Sequence, residues 1–186
     1  MKNKIKIGIT GLGGFGIVCS HALHMSDKAE IIAIQTRNKE KIKKYLLSQN
    51  RCIVIADGYY EWEKKAGGRQ AWYFHRQDKQ PFALAGLWES WQATEQDQPL
   101  LSGTILTTTA NELSRPVHDR MPVILAEDDY ASWLDPDNQG QDSVRALLAP
   151  CPDMLFTRIP VSSHVNSPRH DDQRCILEVP TERELF

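Results

Sequence analysis

Two residues of the chain combine proton-transfer chemistry with unusual local sequences. Glu61 lies in ADGYYEW, flanked by Tyr59, Tyr60 and Trp62, and His118 lies in SRPVHDRMP between an apolar residue and an Asp-Arg pair. A carboxylate placed among aromatic rings loses hydration, which raises its pKa and suits it to general acid or base catalysis. A histidine held by polar neighbours in a loop can exchange a proton near neutral pH. Both residues are therefore candidate catalytic groups.

Each candidate also has a purely structural interpretation. In a strand with strict alternation, Tyr59 and Glu61 share one face while Tyr60 and Trp62 share the other. A glutamate that points to solvent would fit that pattern equally well. A histidine that only caps a turn would give the same local sequence as His118. Local sequence alone leaves both alternatives open.

The elements that would position these residues are mostly strands. From Arg51 onward, short runs rich in Val, Ile, Thr and aromatic residues alternate with turn residues. The predicted strands are RCIVIADGYYEWEKK, AWYFHRQ, PFALAGLWESWQ, LLSGTILTTTA, MPVILA, MLFTRIPVS and CILEV. Only EDDYASWL and DSVRALLA are predicted as helices, because acidic residues open each of them. Residues 51–186 are thus predicted to form an α+β domain with a mostly antiparallel sheet and two small helices.

Residues 1–50 have a different character. They carry nine Lys and Arg against three Asp and Glu, a net charge of +6, whereas residues 51–186 have a net charge of −8. The order KIKIGIT, GLGGFG, IVCSHALHM, EIIAIQT predicts strand, turn, helix, strand, and it resembles the first β-α-β unit of nicotinamide-dependent oxidoreductases. In such a partial Rossmann-like unit, Gly11, Gly13 and Gly16 would let the backbone approach a pyrophosphate.

The nucleotide-binding interpretation has two weaknesses. The position for a ribose-binding acid falls near Gln35 to Arg37, and no third strand follows. A single unit of this size cannot cover both faces of a parallel sheet. The balance favours a fused fragment whose glycines only form a turn, with a domain boundary at Asn50.

Composition excludes several classes of protein. No run approaches the roughly 18–20 apolar residues of a membrane helix, and Met1 to Val18 lacks a signal-peptide cleavage site, so we expect a cytoplasmic protein. Four widely spaced cysteines, without a CxxC pair, argue against a zinc knuckle or a disulfide framework; they are Cys19, Cys52, Cys151 and Cys175. We expect reduced thiols, no metal and no cofactor.

Five separated motifs make residues 51–179 similar to the SOS-response-associated peptidases, a family of abasic-site-processing proteins of the DNA damage response. The motifs are RCIVIADGYYEW, PFALAGLWESW, SGTILTTTANE, PVHDRMPVIL and IPVSSHVNSPRHDD. The resemblance implies a domain that binds single-stranded DNA and reacts covalently with abasic sites, described as a peptidase-like hydrolase or abasic-site lyase. It implies that Glu61 is an acid/base group and that His118 assists opening of the deoxyribose ring and later proton transfers.

The same resemblance suggests where DNA would bind. Trp62, Arg120, Asn166 and Arg169 are the predicted DNA-binding residues, with Trp62 as a stacking platform and the arginines as phosphate contacts. Further cations available in this part of the chain are Arg51, Arg115 and Arg158. The net charge of −8 makes the surrounding field unfavourable for a polyanion.

The chain departs from the family pattern in two places. Position 2 is Lys2, where the family has a cysteine whose amine and thiol trap the sugar aldehyde. The family's Asn- and Arg-containing DNA-binding segment is missing ahead of RCIVIADG, and the β-α-β fragment occupies its place. Cys19 lacks a neighbouring free amine, and Cys52 is expected to be a buried, inert strand residue. Covalent trapping is therefore expected to be impaired, which leaves the assignment as an enzyme open.

Two other functions remain as alternatives. One is a module that binds single-stranded DNA or a partner without chemistry, and the other is a nucleotide-binding oxidoreductase fragment led by GLGGFG. The missing N-terminal strands would also leave a sheet edge exposed, so a homo-oligomer formed through that edge is a further expectation.

Overall fold

The computed structural model describes residues 5–7, 29–31, 50–91 and 100–180. In the first part, β1 (Ile5–Ile7) and β2 (Ala29–Ile31) pair in parallel. A β-α-β unit requires parallel pairing of its two strands. Gly11, Gly13 and Gly16 lie outside the described residues, as does the segment near Gln35. The nucleotide site therefore stays a prediction.

A first antiparallel sheet is built around one long strand, β6. It contains β3 (Arg51–Ala56), β6 (Phe82–Trp91), β7 (Leu100–Ile105) and β10 (Ile124–Leu125). Strand β3 pairs with one side of β6, while β7 and β10 pair with successive parts of its other side. The backbone N–H of Val123 donates to the carbonyl of Leu106 at 2.9 Å, which extends the pairing beyond the sheet.

A second antiparallel sheet carries Glu61. Its strand order is β11 (Phe156–Val161), β5 (Gly68–Arg76), β4 (Tyr59–Lys65). A short pair, β8 (Thr107–Thr109) and β9 (Arg120–Pro122), continues from the first sheet and ends beside His118. Two α-helices, α1 (Tyr130–Leu134) and α2 (Gln141–Ala146), accompany 3₁₀ turns at Glu127–Asp129, Asp153–Leu155, Ser163–Asn166 and Gln173–Cys175. The predicted α+β class with a mostly antiparallel sheet is confirmed.

The run RCIVIADGYYEWEKK is divided between the two sheets at Asp57 and Gly58. The ring of Tyr73 lies directly over Gly58, so a Cβ atom at position 58 would be 2.2 Å from a ring carbon. The hydroxyl of Tyr73 donates to the carbonyl of Asp57 at 3.2 Å. The glycine is thus required for the close approach that lets the chain leave the first sheet and enter the second.

Alternation along β4 separates two apolar clusters, as the sequence predicts. Tyr59 stacks on Phe74 with ring centroids 4.8 Å apart, and both belong to the core between the sheets. Tyr60 packs on the opposite face with Tyr73, and Trp62 lies against that second cluster. Glu61 therefore lies on the inner face, next to the main core.

Helix α1 packs against β3 through a buried tryptophan and a buried arginine. The indole N–H of Trp133 donates to the carbonyl of Cys52 at 2.8 Å. Arg51 is 6% exposed; its Nε donates to the carbonyl of Trp133 at 2.6 Å, and its Nη2 donates to the carbonyls of Asp135 and Asn138. The expectation that Arg51 is a cation available to DNA is wrong, because its hydrogen bonds are used inside the fold.

The helices predicted over EDDYASWL and DSVRALLA are present, and the strand predicted over CILEV is not. Residues Gln173–Cys175 form a 3₁₀ turn, and a single bridge joins Glu178 to Val161. Asp172 explains the difference, since its carboxylate accepts the backbone N–H of Arg174 at 2.9 Å. A local side-chain bond of this kind competes with sheet pairing. Among the described residues, no helix has the length and apolar character needed to cross a membrane.

Candidate active site and nucleic-acid interface

Glu61 is placed by β4 on the inner face of the second sheet. It lies opposite Trp72 on β5, and it is half-buried. Burial raises the pKa of Glu61 above its ordinary value, because the charged carboxylate loses hydration. The charge of His118 and a hydrogen bond from the backbone N–H of Trp62 act in the opposite direction on that pKa, with smaller effect. Because the charge of His118 acts on the carboxylate of Glu61, the two groups lie within electrostatic reach of each other.

The segment that carries His118, residues 110–119, is called here the His118 turn. The carbonyl of Ser114 accepts the backbone N–H groups of Val117 at 2.9 Å and of His118 at 3.0 Å. The hydroxyl of Ser114 lies 3.2 Å from the hydroxyl of Tyr59. Tyr59 and Ser114 are 1% and 2% exposed, so this hydrogen bond is shielded from water. This hydrogen bond joins the His118 turn to β4, where Glu61 follows two residues after Tyr59.

Two neighbouring groups contact the same nitrogen, Nδ1, of the His118 imidazole. The backbone N–H of Arg120 donates to Nδ1 at 3.0 Å, which places the proton of the neutral ring on Nε2. A carboxylate oxygen of Asp119 lies 3.2 Å from the same Nδ1, where it can accept a proton once that nitrogen is protonated. The side chain is 47% exposed. His118 is therefore oriented by its neighbours and open to a ligand.

Asn111 holds the beginning of the His118 turn, and local sequence did not single it out. Its side-chain oxygen accepts the backbone N–H of Ser114 at 3.0 Å, and its side-chain nitrogen donates to the carbonyl of Cys151 at 3.1 Å. An asparagine that bonds the backbone a few residues ahead is a known turn signal. The spacing of Asn111 and Ser114 could have indicated the turn, but not its attachment to Cys151.

Arg158 ties the same turn to the second sheet. Its guanidinium lies over the ring of Trp72, 4.7 Å from the centroid, and its Nη1 donates to the carbonyl of Leu113 at 2.9 Å. Glu63 accepts the indole N–H of Trp72 at 2.9 Å. Burial lowers the pKa of Arg158, and the charge of Glu63 partly offsets that. Nothing in the local sequence of Arg158 indicates this stack, which depends on the pairing of β5 and β11.

The predicted DNA-binding residues fall into two groups. Trp62 lies on the outer face of β4, and its indole N–H donates to the side-chain oxygen of Asn166 at 2.7 Å. Arg169 follows three residues after Asn166 and is exposed. Arg120 instead lies beside His118, where its guanidinium contacts both oxygens of Thr107. Strand β4 is an edge strand of its sheet within the described residues, so one group flanks each face of that edge.

The described residues include three free cysteines, Cys52, Cys151 and Cys175. Burial makes two of them unreactive. Burial raises the pKa of both Cys52 and Cys151 to about 11. Both thiols are therefore protonated at neutral pH and are poor nucleophiles, as the sequence suggests for Cys52. Cys19 lies outside the described residues.

Comparison with known proteins gives consistent results. The family model described as SOS response associated peptidase (SRAP) matches residues 13–168, a range that begins ahead of Asn50. The abasic site processing protein YoaM of Bacillus subtilis is 40% identical over 126 residues, covering 67% of this chain and 55% of that protein. The abasic site processing protein HMCES of Gallus gallus is 32% identical over 161 residues, covering 76% of this chain and 47% of that protein.

A solved structure gives the fold. A protein of Bacteroides thetaiotaomicron superposes with a TM-score of 0.67 at 18% sequence identity, covering 94% of this chain and 66% of that one. The chain spans about half the length of the two curated relatives described above. Since the family model matches most of the sequence, the chain belongs to the SOS response associated peptidase family.

Proposed function

We propose that this protein binds single-stranded DNA and assists proton transfer at abasic sites, with Glu61 and His118 as its acid/base pair. The relatives named above are described as abasic site processing proteins. The observation that carries the proposal is the electrostatic contact between Glu61 and His118, on a strand and a turn that the buried Tyr59–Ser114 hydrogen bond joins. A raised carboxyl pKa next to a histidine is the arrangement expected of partners that exchange a proton near neutral pH.

The reaction that fits this pair is opening of the abasic sugar. The closed sugar is a hemiacetal, and its opening needs one proton on the ring oxygen and the loss of one from the anomeric hydroxyl. Glu61 and His118 can hold a single proton between them, so one member of the pair acts as acid while the other acts as base. The acid protonates the ring oxygen as the bond from the anomeric carbon breaks. The base takes the hydroxyl proton as the aldehyde C=O bond forms.

The edge of β4 is the proposed path of the DNA. Trp62 and Asn166 offer a stacking surface and a hydrogen-bonding amide on one side of that edge, and Arg169 offers a cation for phosphate. Arg120 provides a second cation next to His118. A single strand suits this surface, because its bases are free to stack and its sugar can reach the acid/base pair. Few cations in an acidic domain predict weak, strongly salt-dependent binding.

A stable covalent adduct is not expected from Cys52 or Cys151. The thiolate is the reactive form of cysteine, and Cys52 and Cys151 keep their protons at neutral pH. The proposed product is therefore the free aldehyde, held in place without trapping. A heat-resistant shift of abasic single-stranded DNA in a denaturing gel, without borohydride, would contradict this part of the proposal.

The experiment that tests the acid/base pair measures the rate of sugar opening directly. An alkoxyamine probe reacts only with the open aldehyde, so its rate of capture on an abasic oligonucleotide reports ring opening. We expect the protein to accelerate capture, and Glu61→Gln and His118→Gln each to reduce that acceleration by about 100-fold or more. DNA binding, measured by fluorescence anisotropy, should change little in both variants.

Two matched controls keep the result specific. Asp142→Asn removes an exposed carboxylate from α2, and His75→Gln removes a histidine from β5. Both controls should retain the acceleration. Equal capture with and without the protein would overturn the acid/base assignment, and salt-sensitive DNA binding without acceleration would favour the non-catalytic module.

Association of two copies through a sheet edge belongs to the same proposal. Among the described strands, β3 pairs only with β6, and Ile55 on β3 is 57% exposed. The indole of Trp133 already occupies the carbonyl of Cys52, so the second half of β3 is the part available for pairing. Light scattering should show a dimer that Ile55→Lys disrupts, since a charged residue blocks edge pairing. A monomer at all concentrations would exclude it.

A further inference from the structure

Two 3₁₀ turns near the end of the described chain bring three metal-binding side chains together. The turns are Ser163–Asn166 and Gln173–Cys175, and with their connection, residues 163–175, they are called here the C-terminal turns. The ligand atoms of His164, Asp172 and Cys175 all lie within 4.8 Å of one another. Nε2 of His164 is 3.1 Å from a carboxylate oxygen of Asp172. We propose that these three residues form a binding site for a divalent metal ion of the zinc type.

The donor set selects the metal. One nitrogen, one sulfur and one carboxylate oxygen match the ligands that zinc takes in proteins, and the thiolate disfavours magnesium and calcium. Bonds of about 2.0–2.2 Å to a tetrahedral ion place neighbouring ligand atoms roughly 3.3–3.6 Å apart, so small side-chain movements from the observed separations of 3.1 Å and at most 4.8 Å would complete the site. Three protein ligands leave one position for water or another ligand. The metal would take the place of the proton that now bridges His164 and Asp172.

Neighbouring groups already fix the orientation of the ligands. The ring of His170 stacks on the ring of His164 with centroids 3.7 Å apart and an angle of 7° between planes. Nδ1 of His170 lies 2.6 Å from the backbone carbonyl of His164, where a proton on that nitrogen is donated to the oxygen. The hydroxyl of Tyr60 donates to the carbonyl of Cys175 at 3.2 Å, which anchors the turn to the second sheet. Such supporting contacts are typical around metal ligands.

Arg174 is the competing cation at this site. Its Nε and Nη2 donate to the two carboxylate oxygens of Asp172 at 3.0 and 2.7 Å. The Arg174 side chain is 68% exposed, and an ion pair so accessible to water is weak. A directly coordinated metal ion therefore displaces the guanidinium from one oxygen. The other oxygen keeps the backbone N–H of Arg174 as a partner at 2.9 Å.

A metal ion at this site would cross-link the two C-terminal turns. Asn166 and Arg169 lie between the ligands in sequence, so metal binding would order the loop that presents them. The proposed site is separate from Glu61 and His118. Its test therefore needs no DNA, and its failure leaves the acid/base proposal untouched.

Cobalt is the probe for this site, because its spectrum reports both ligand type and geometry. The full chain, without an affinity tag, is reduced, freed of metal with a chelator and titrated with Co²⁺. We expect a near-ultraviolet thiolate-to-cobalt charge-transfer band, visible bands of a tetrahedral ion, and loss of both on addition of one equivalent of Zn²⁺. Zn²⁺ should also raise the melting temperature, and a chelator should reverse that rise.

Substitutions identify the ligands. Cys175→Ser should abolish the charge-transfer band, and His164→Gln should weaken Zn²⁺ binding by about 100-fold or more, beyond the loss typical of a supporting residue. Cys52→Ala and His75→Gln remove a thiol and an imidazole elsewhere and should change neither result. Circular dichroism confirms that each variant is folded, and Asp172→Asn, which keeps the hydrogen-bonding shape, provides a second ligand test. The proposal is overturned if no thiolate band forms, or if the band survives in folded Cys175→Ser protein.

Discussion

The His118 turn and the C-terminal turns hold histidines by opposite means. In the His118 turn, the decisive contact is a hydrogen bond between Tyr59 and Ser114, both almost fully buried. In the C-terminal turns, His164 is held by Asp172, which also pairs with an exposed Arg174. A buried hydrogen bond has no competition from water, whereas exposed ion pairs contribute little net stability.

The difference explains which region can position chemistry without help. The His118 turn is fixed by the same core that holds the two sheets together, so its geometry persists as long as the fold does. The C-terminal turns gather polar groups that stabilise each other weakly in water. A ligand that binds those groups directly would supply the missing order. Four predictions test this contrast.

The largest expected effect on stability comes from Gly58→Ala. A Cβ at position 58 would meet the ring of Tyr73 at 2.2 Å, and that ring is packed against Tyr60. We expect a loss of about 3 kcal/mol in the free energy of unfolding, the upper end for overpacking, measured by urea denaturation. Gly67→Ala is the control, since nothing lies within 4 Å of the place that its new methyl group would take. Equal stability of the two variants would show that the strand break does not depend on Gly58.

Tyr59→Phe and Tyr60→Phe should distinguish the two regions, because each variant removes a hydroxyl that holds one of them. Tyr59→Phe removes the hydroxyl partner of Ser114 in a buried place, which should cost about 1–3 kcal/mol. It should also slow sugar opening, because the His118 turn loses its link to β4. Tyr60→Phe removes a hydroxyl from the next residue, which instead contacts the carbonyl of Cys175. That variant should weaken metal binding and leave sugar opening unchanged; the reverse pattern would refute the comparison.

The pH dependence of stability should depend on Glu61. Because burial raises its pKa, the folded protein keeps the proton to a higher pH than the unfolded chain does. The stabilising contribution is full below the ordinary glutamate pKa and is lost as pH rises through the raised value. Glu61→Gln should therefore gain stability relative to the parent as the pH rises from the ordinary glutamate pKa through the raised pKa of the folded state. Parallel stability curves for the two proteins would mean that Glu61 titrates alike in both states.

The smallest effect is expected for Asp172→Asn in metal-free protein. Its contacts with His164 and with the exposed Arg174 should contribute little to the free energy of unfolding, so the metal-free variant should be nearly as stable as the parent. With Zn²⁺ present, the parent should gain stability that the variant lacks. A large loss without metal would show that the C-terminal turns are held as firmly as the His118 turn.

Much of the fold could be predicted because most of its strands have local sequences typical of β-structure. β-Branched and aromatic runs between turn residues identified β5, β6, β7 and β11, and acidic residues identified the start of α1. The division of the first run at Gly58 was missed, because the need for glycine arises from a ring fifteen positions away in sequence. The strand predicted over CILEV failed because a local cap on Asp172 outweighed its β propensity.

The sequence predicted the catalytic candidates of the site. It did not predict the residues that hold them in place. Glu61 and His118 stand in distinctive local sequences, and alternation correctly separated the faces of β4. Arg158, Asn111 and Ser114 act through pairings between distant segments, which no local pattern reveals. The cluster of His164, Asp172 and Cys175 was missed for another reason: its ligands are of three kinds and lack the paired-cysteine spacing that signals a metal.

Arg51 has a consequence for how two distant segments of the chain are coupled. Its guanidinium gathers the carbonyls of Trp133, Asp135 and Asn138, at and just beyond the carboxyl end of α1. A cation there complements the negative pole of the helix and fastens the first residue of β3 to a distant element. The first residue of β3 and the end of α1 are thereby held to each other. Loss of the Arg51 side chain should therefore loosen both segments together.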